Sequence, residues 1–235
     1  MKVIGISGYK GSGKDEFAKT AQEIVFSKGG EAIVASLATP LKAACMEDYG
    51  LTIEQCYKQS EKEKPILTMP VKITDTYSAK AIKNIIDECR TADGKAPSEG
   101  YRVIGSSALN QSDGMQLFWT PRALMIFKGS NQRTVSSDYW VAKLCQDLKK
   151  YPDVDAVFIP DVRYKNEIKV LSESFGADFS LVRITGRVGP QSNDASERDL
   201  DTYDFKNIIT NDGTLESFHG LIKNFMNEVV HAPLD

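Results

Sequence analysis

A short apolar run, Lys2 to Ser7, leads straight into Gly8-Tyr9-Lys10-Gly11-Ser12-Gly13-Lys14-Asp15. The octet matches the phosphate-binding pattern G-x-x-x-x-G-K and departs from it at the next position, where a Ser or Thr is usual and Asp15 stands instead. A tight turn after a strand points successive backbone N–H groups inward, and glycines permit the dihedrals and the close approach of a phosphate. The N-terminus of a following helix adds partial positive charge. Lys14 has the reach to neutralise β- and γ-phosphates. The hydroxyl replaced by Asp15 ordinarily goes to Mg²⁺; a carboxylate can hold that ion directly or through water, since Mg²⁺ takes oxygen ligands and keeps several waters. No Asn-Lys-x-Asp occurs in the chain, which argues against a guanine-nucleotide switch.

The surrounding pattern says what such a loop is mounted on. Phe17, Ala18, Ala21, Ile24 and Val25 recur at helical spacing and Gly29-Gly30 ends the helix. Ala32 to Leu37 has strand length, and Pro40 opens another helix. Strand, turn, helix, strand, helix is the signature of an α/β fold with an open, mostly parallel sheet flanked by helices. The middle is less regular. Gln59 to Pro70 is charged and holds two prolines, which reads as a mobile surface segment; Tyr77 to Arg90 has helical spacing; Thr91 to Gln116 reads as an insertion with a hairpin as one form. Pro121 starts a helix expected to end near Gly129, and Tyr139 to Lys150 is another. Regularity returns with a strand at Asp155 to Ile159, a helix at Val162 to Phe175, strands at Ala177 to Ile184 and Lys206 to Thr210, and a last helix at Leu215 to Val230. Gly186 to Asp201 is polar and aperiodic, as a flap would be. No linker divides the 235 residues, so one decorated domain is expected.

Composition removes several classes of function. A net charge of −3 supplies no whole-protein basic field for a nucleic-acid polymer. The two histidines, His219 and His231, exclude a His-rich zinc site and disfavour a His-centred triad. No apolar run reaches membrane-span length, and the start of the chain does not read as a signal peptide. Cys45, Cys56, Cys89 and Cys145 are widely spaced and read as reduced core thiols of a cytoplasmic protein.

Ligands of open α/β sheets bind beyond the carboxyl ends of the strands. After the second strand, Pro40 at a helix start and Lys42 one turn in fit a phosphate or substrate contact, or an ordinary helix start with a solvated lysine. Asp161 follows the Asp155 strand where a metal-associated carboxylate would sit, Arg163 can grip a phosphate with its planar fork, and Glu167 lies four residues on. A capping Asp with an Arg–Glu surface pair fits the same residues. Arg122 stands in the first turn of the Pro121 helix, where the dipole disfavours a cation unless an anion is near, although a solvated side chain serves as well. Asn131, Arg133 and Trp140 suit a nucleobase or its phosphate, although Trp140 taken alone reads first as core packing. Arg187 and Arg198 lie on the flap, and arginines on a lid can cover a transferring group, or simply be solvated. Asn211-Asp212-Gly213-Thr214 is a turn against which an adenine could rest.

Taken in order, these segments resemble the deoxynucleoside monophosphate kinases of tailed bacteriophages, within the nucleoside monophosphate kinase-like group of P-loop proteins. The resemblance is carried by Ser7 through Asp15, Leu37-Ala38-Thr39-Pro40-Leu41-Lys42, Trp119 through Met125, Asp138 through Lys143, Pro160 through Arg163 with Glu167, and Ile209 through Glu216. It spans nearly the whole chain, and the Asp after the loop lysine is itself a family trait. Gly129-Ser130-Asn131 departs from the family's Gly-Thr-acid, which bears on base preference, and Thr91 to Gln116 aligns poorly.

The resemblance implies a single P-loop kinase domain with an acceptor-binding insertion at about 38–150 and a lid at about 186–201. It implies Mg²⁺-dependent transfer of the ATP γ-phosphoryl group to a deoxynucleoside monophosphate, in a cytoplasmic enzyme that feeds phage DNA synthesis and forms a homodimer. Lys10, Gly11, Ser12, Gly13, Lys14, Asp15 and Glu16, with Asn211 and Gly213, would bind ATP; Asp15 and Asp161 would hold metal. Leu41, Lys42, Arg122, Gly129, Ser130, Arg133, Trp140, Asp161, Arg163 and Glu167 would bind the monophosphate. Lys14, Arg122, Arg163 and Arg187 would act on the phosphoryl group. Other small-molecule P-loop kinases, of phosphomevalonate- or dephospho-coenzyme-A-kinase type, carry similar loops. A non-catalytic ATP-binding regulator is the rival from another class.

Overall fold

The computed structural model describes residues 1–64, 66–67, 103–104, 116–189 and 198–230. In chain order the elements are β1 (Lys2–Gly8), α1 (Lys14–Ser27), β2 (Ala32–Val34), α2 (Thr39–Tyr49), α3 (Ile53–Tyr57), α4 (Gln59–Lys62), β3 (Ile66–Leu67), β4 (Val103–Ile104) and β5 (Gln116–Trp119). They continue with α5 (Pro121–Val135), α6 (Tyr139–Leu148), β6 (Ala156–Ile159), α7 (Lys165–Phe175), β7 (Phe179–Gly186), β8 (Asn207–Asn211) and α8 (Leu215–Val230). The chain divides into two compact units, one made of Met1–Thr39 with Ser137–Asp235, the other of Pro40–Ser136.

In the first unit five strands form a sheet in the order β2-β6-β1-β7-β8. Every pairing is parallel, with Lys2 beside Ala156 and Val3 beside Phe179. Strand alternation sorts side chains to two apolar layers. Ile4, Ile6, Ala156, Phe158, Val182 and Ile184 pack with Phe17, Ala18 and Ala21 of α1 and Phe218, Ile222, Phe225 and Met226 of α8. Val3, Val157 and Ile159 turn the other way, onto Val141, Leu144 and Leu148 of α6 and Ile168 and Leu171 of α7. β1, buried on both faces, is therefore a central strand, and the loop that follows it emerges near the middle of the sheet edge.

The second unit has a smaller core, with Cys45, Leu51, Cys56, Leu124 and Met125 buried and Leu41, Met46, Tyr49 and Ala123 packed against it. β3, β5 and β4 form a small antiparallel sheet. Thr120 caps α5 by accepting from the Ala123 amide at 3.1 Å, with Pro121 behind it.

Several boundaries differ from the sequence expectation, for physical reasons. β2 stops at Val34 because Asp161 captures the Ser36 hydroxyl and the Leu37 amide, peeling the chain off the sheet. α7 begins at Lys165 rather than Val162 because Glu167 takes up the Arg163 and Tyr164 amides in an extended turn. α5 runs through Gly129 to Val135; a Cβ on Gly129 would stand 3.1 Å from Leu41 Cδ2, so this glycine serves close packing and not a helix stop. Within Gln59 to Pro70, expected to be a mobile surface segment, residues 59–62 form α4 and Ile66–Leu67 pairs with β5. In the Thr91 to Gln116 insertion, Val103–Ile104 pairs antiparallel with β5. The helix expected at Tyr77 to Arg90 and residue Cys89 lie outside the described residues. Cys45, Cys56 and Cys145 are buried thiols, and burial pushes Cys45 up to about 12. Among the described residues no helix is long and apolar enough to cross a membrane.

Candidate active site

The loop between β1 and α1 is built from backbone. Gly8, Gly11 and Gly13 sit at φ of 156°, 83° and 105°. Gly13 is also pressed against its neighbours: a Cβ there would stand 2.7 Å from Asn211 Nδ2. As the residue before α1 it contributes no side-chain cap, so the first turn of α1 is left without one. Lys14 Nζ lies across the loop and donates to the carbonyls of Gly8 at 2.7 Å and Tyr9 at 2.8 Å. Ser12 and Asn211 are buried, and Asn211 Nδ2 donates to the Ser12 carbonyl at 2.9 Å. Among the described residues Ser12 Oγ and Asn211 Oδ1 have no hydrogen-bond partner. Buried polar atoms are nearly always paired, so the unused Ser12 hydroxyl donor beside an uncapped helix fits a site completed by an anionic ligand, whereas Asn211 Oδ1, an acceptor, needs a donor such as water or an N–H. Lys10, Gly11 and Asp15 are exposed at the same turn.

Glu16, placed with the nucleotide by the sequence, engages its own surroundings: His219 Nε2 is 2.6 Å from Glu16 Oε1, and the Thr20 hydroxyl donates to that oxygen at 3.5 Å. At the end of β7 the Arg187 amide donates to the Asn211 carbonyl at 3.1 Å and its guanidinium to the Gly213 carbonyl at 2.7 Å. Arg187, Asn211 and Gly213 therefore form one cluster beside the loop.

Past β6 the carboxylates face inward. Asp161 Oδ2 accepts from the Ser36 hydroxyl at 2.6 Å and Oδ1 from the Leu37 amide at 3.0 Å. Glu167 Oε2 accepts the amides of Arg163 at 2.7 Å and Tyr164 at 2.9 Å. Burial pushes Glu167 up to about 7 against the pull of those two amides. The Arg163 side chain is exposed. Trp140 is buried on α6, edge-on to Tyr139 with ring centroids 4.8 Å apart.

Within the second unit, Lys42 Nζ stands 3.9 Å over the Tyr57 ring. Arg122 forms an ion pair with Glu63, and Leu41 lies against Gly129. Arg133 is exposed on α5, and Ser130 belongs to the same helix.

Sequence reasoning missed Ser36, Arg183 and Asp201. Arg183 is buried in β7 and donates to Ser7 Oγ at 2.9 Å; Asp201 accepts the Tyr9 phenol at 2.6 Å. A signal existed for Arg183, since a cation inside the apolar run of β7 is rarely buried without partners. Ser36 and Asp201 carry no local signal.

As for a metal, no group of three His, Cys, Asp or Glu side chains that could hold one occurs among the described residues. Mg²⁺ needs no such cage when one or two carboxylates act together with phosphates. The exposed Asp15 carboxylate next to Lys14 has the hard oxygen donors that this requires.

The chain is similar to a deoxynucleotide monophosphate kinase of Enterobacteria phage T4, 28% identical over 246 residues that cover 95% of this chain and 98% of the relative. Among solved structures it is similar to the APS kinase CysC of Mycobacterium tuberculosis, in a cysteine-to-alanine variant, at 12% identity and a TM-score of 0.38 over 96% of each chain. The model of the family described as deoxynucleotide monophosphate kinase matches residues 2–222, and with that span the chain belongs to this family of kinases.

Proposed function

We propose that the protein transfers the γ-phosphoryl group of ATP to a deoxynucleoside monophosphate, yielding the diphosphate and ADP. The observation that carries this reading is the β1–α1 loop. It has an uncapped helix start, a lysine across its mouth and a buried Ser12 hydroxyl left without a partner.

In this reading the loop amides and Lys14 neutralise the β- and γ-phosphates, and the Arg187, Asn211 and Gly213 cluster supports the nucleotide beside them. Mg²⁺ would be held by Asp15 with the phosphates and would supply further neutralisation of their charge. Asp161, whose two oxygens already hold the β2–α2 turn, acts on substrate by keeping that turn in place. Arg163 offers an exposed fork for the acceptor phosphate. Leu41, Lys42 and Arg122 are assigned to the acceptor by family resemblance, and Gly129, Ser130 and Arg133 by their place on the same helix as Arg122. A phosphate monoester is already a competent nucleophile, so no general base is required, and rate enhancement comes from positioning and electrostatics. A single P-loop kinase domain with an acceptor-binding insertion and a lid, a homodimer and a cytoplasmic setting are part of the same reading.

The test is ADP release from Mg·ATP with each of dAMP, dGMP, dCMP, dTMP and the matching ribonucleotides. Release that depends on a deoxynucleotide, with diphosphate formed, is the expected result. ATP binding without acceptor-dependent release would overturn it.

A further inference from the structure

A glycine-rich loop has little of its own to hold its shape, because glycine loses the most conformational freedom on ordering. Tyr9 supplies an outside anchor. Its phenol donates to Asp201 Oδ1 at 2.6 Å, and its ring lies 4.6 Å from the guanidinium carbon of Arg183. Arg183 is 8% exposed. Besides Ser7 Oγ it pairs with Asp201 Oδ1 at 3.6 Å and faces the Phe205 ring at 5.5 Å. Asp201 is itself held: Arg198 Nε donates to its second oxygen at 2.9 Å. Nearby, Asp199 accepts the Lys165 amide at 2.7 Å, and Lys165 Nζ donates to the Thr202 hydroxyl at 3.0 Å. The segment presenting Asp201 is thus bound to the start of α7.

The chemical consequence runs through one carbonyl. Tyr9 O accepts from Lys14 Nζ at 2.8 Å and from the Ser12 amide at 3.1 Å. Whatever fixes Tyr9 therefore fixes where the Lys14 ammonium points and how the loop turns.

We infer that Asp201 and Arg183 are positioning residues: by anchoring Tyr9 they hold the carbonyl that aims Lys14 and keep the phosphate loop in a binding shape before a nucleotide arrives. A preordered loop gives up less entropy on binding. The anchor is available at any ordinary pH as a donor, because the hydrogen bond to Asp201 and burial raise the Tyr9 phenol above its usual value. The kinetic part of this inference rests on the kinase reading; the ordering of the loop does not.

Tyr9→Phe removes only the hydroxyl and leaves the ring beside Arg183. In the nucleotide-free variant, amide hydrogen exchange over residues 11–15 should speed about tenfold, the scale of one lost hydrogen bond to a charged acceptor. The KM for ATP should rise by a similar factor, with the acceptor KM unchanged and the melting temperature lowered by no more than a few degrees. Asp201→Asn keeps an acceptor for the phenol but loses the charge facing Arg183 and Arg198, so its effect should be intermediate. In the double variant the two effects should not add. Unchanged loop exchange in Tyr9→Phe, or fully additive effects, would overturn the inference. A wild-type protein that transfers no phosphoryl group, while the variant still exchanges faster, would sink the kinase reading and support the anchor.

Discussion

β1 and β6 lie side by side, pair in parallel and end at the same edge of the sheet, yet the chain leaves them in opposite ways. After β1 it makes a turn of glycines, enters α1 without a side-chain cap and leaves Ser12 Oγ and Asn211 Oδ1 buried and unpaired. After β6 the chain satisfies itself: Asp161 holds the Ser36 hydroxyl and the Leu37 amide, and Glu167 holds the Arg163 and Tyr164 amides ahead of α7. One exit leaves a helix start uncapped and a buried hydroxyl unpaired; the other has filled its donors with its own carboxylates. Acidic residues at strand ends can therefore play either of two parts. A carboxylate at the right place for a metal is also at the right place to brace a neighbouring turn, and only its partners tell which it does.

The largest effect is expected at Lys14, on the β1 exit. Lys14→Met should lower kcat by about 100- to 1,000-fold, the cost of one preorganised donor in a phosphoryl-transfer site. ADP release measures it, and a circular-dichroism melt should show the fold intact; full turnover would remove the β1 exit from the chemistry. Next in size is Arg163→Ala. It should raise the acceptor KM about tenfold and leave the ATP KM alone, as expected for the loss of a charge-assisted contact to one substrate. Equal changes in both constants would mean that the β6 exit does not face the acceptor.

Asp161→Ala sharpens the distinction between brace and metal ligand. With two donors left without their acceptor, stability should fall by about 1–3 kcal/mol in urea unfolding, and the Mg²⁺ concentration for half-maximal rate should stay where it is. A shifted Mg²⁺ requirement at unchanged stability would return Asp161 to the metal. The smallest effect concerns Glu167, whose carboxyl is held up to about 7 by burial. Because the unfolded chain releases this proton first, the folded state loses stability as pH rises from the ordinary carboxylate range through about 7. Glu167→Gln keeps an acceptor for the two amides and should flatten that decline, read as urea midpoints at about pH 5 and about pH 8. A parallel decline in both proteins would show that Glu167 ionises normally.

Much of the first unit was legible from the chain. The apolar run to Ser7, the glycines and Lys14 sit within a dozen residues, so β1, the loop and α1 follow from local chemistry, and α8 has the span its spacing implied. Boundaries set by distant partners were not legible. Nothing near Ala35 says that β2 will end early, because the reason is Asp161, far along the chain. Gly129 looked like a helix stop and is a contact with Leu41.

What the sequence determined by itself is the class of fold and the presence of a phosphate loop. Both arise from periodicity and from residues adjacent in the chain, and short-range sterics and backbone hydrogen bonding enforce them. The tertiary structure alone decided which side chains are already committed. Asp161 and Glu167 turn inward, Glu16 meets His219, Arg187 leans on Gly213, and Tyr9 is anchored by Asp201 across 192 positions of sequence. The physical reason is that a charged or polar group takes its role from the partners that replace its water on folding. Those partners come from other strands and helices, whose approach no stretch of neighbouring residues encodes.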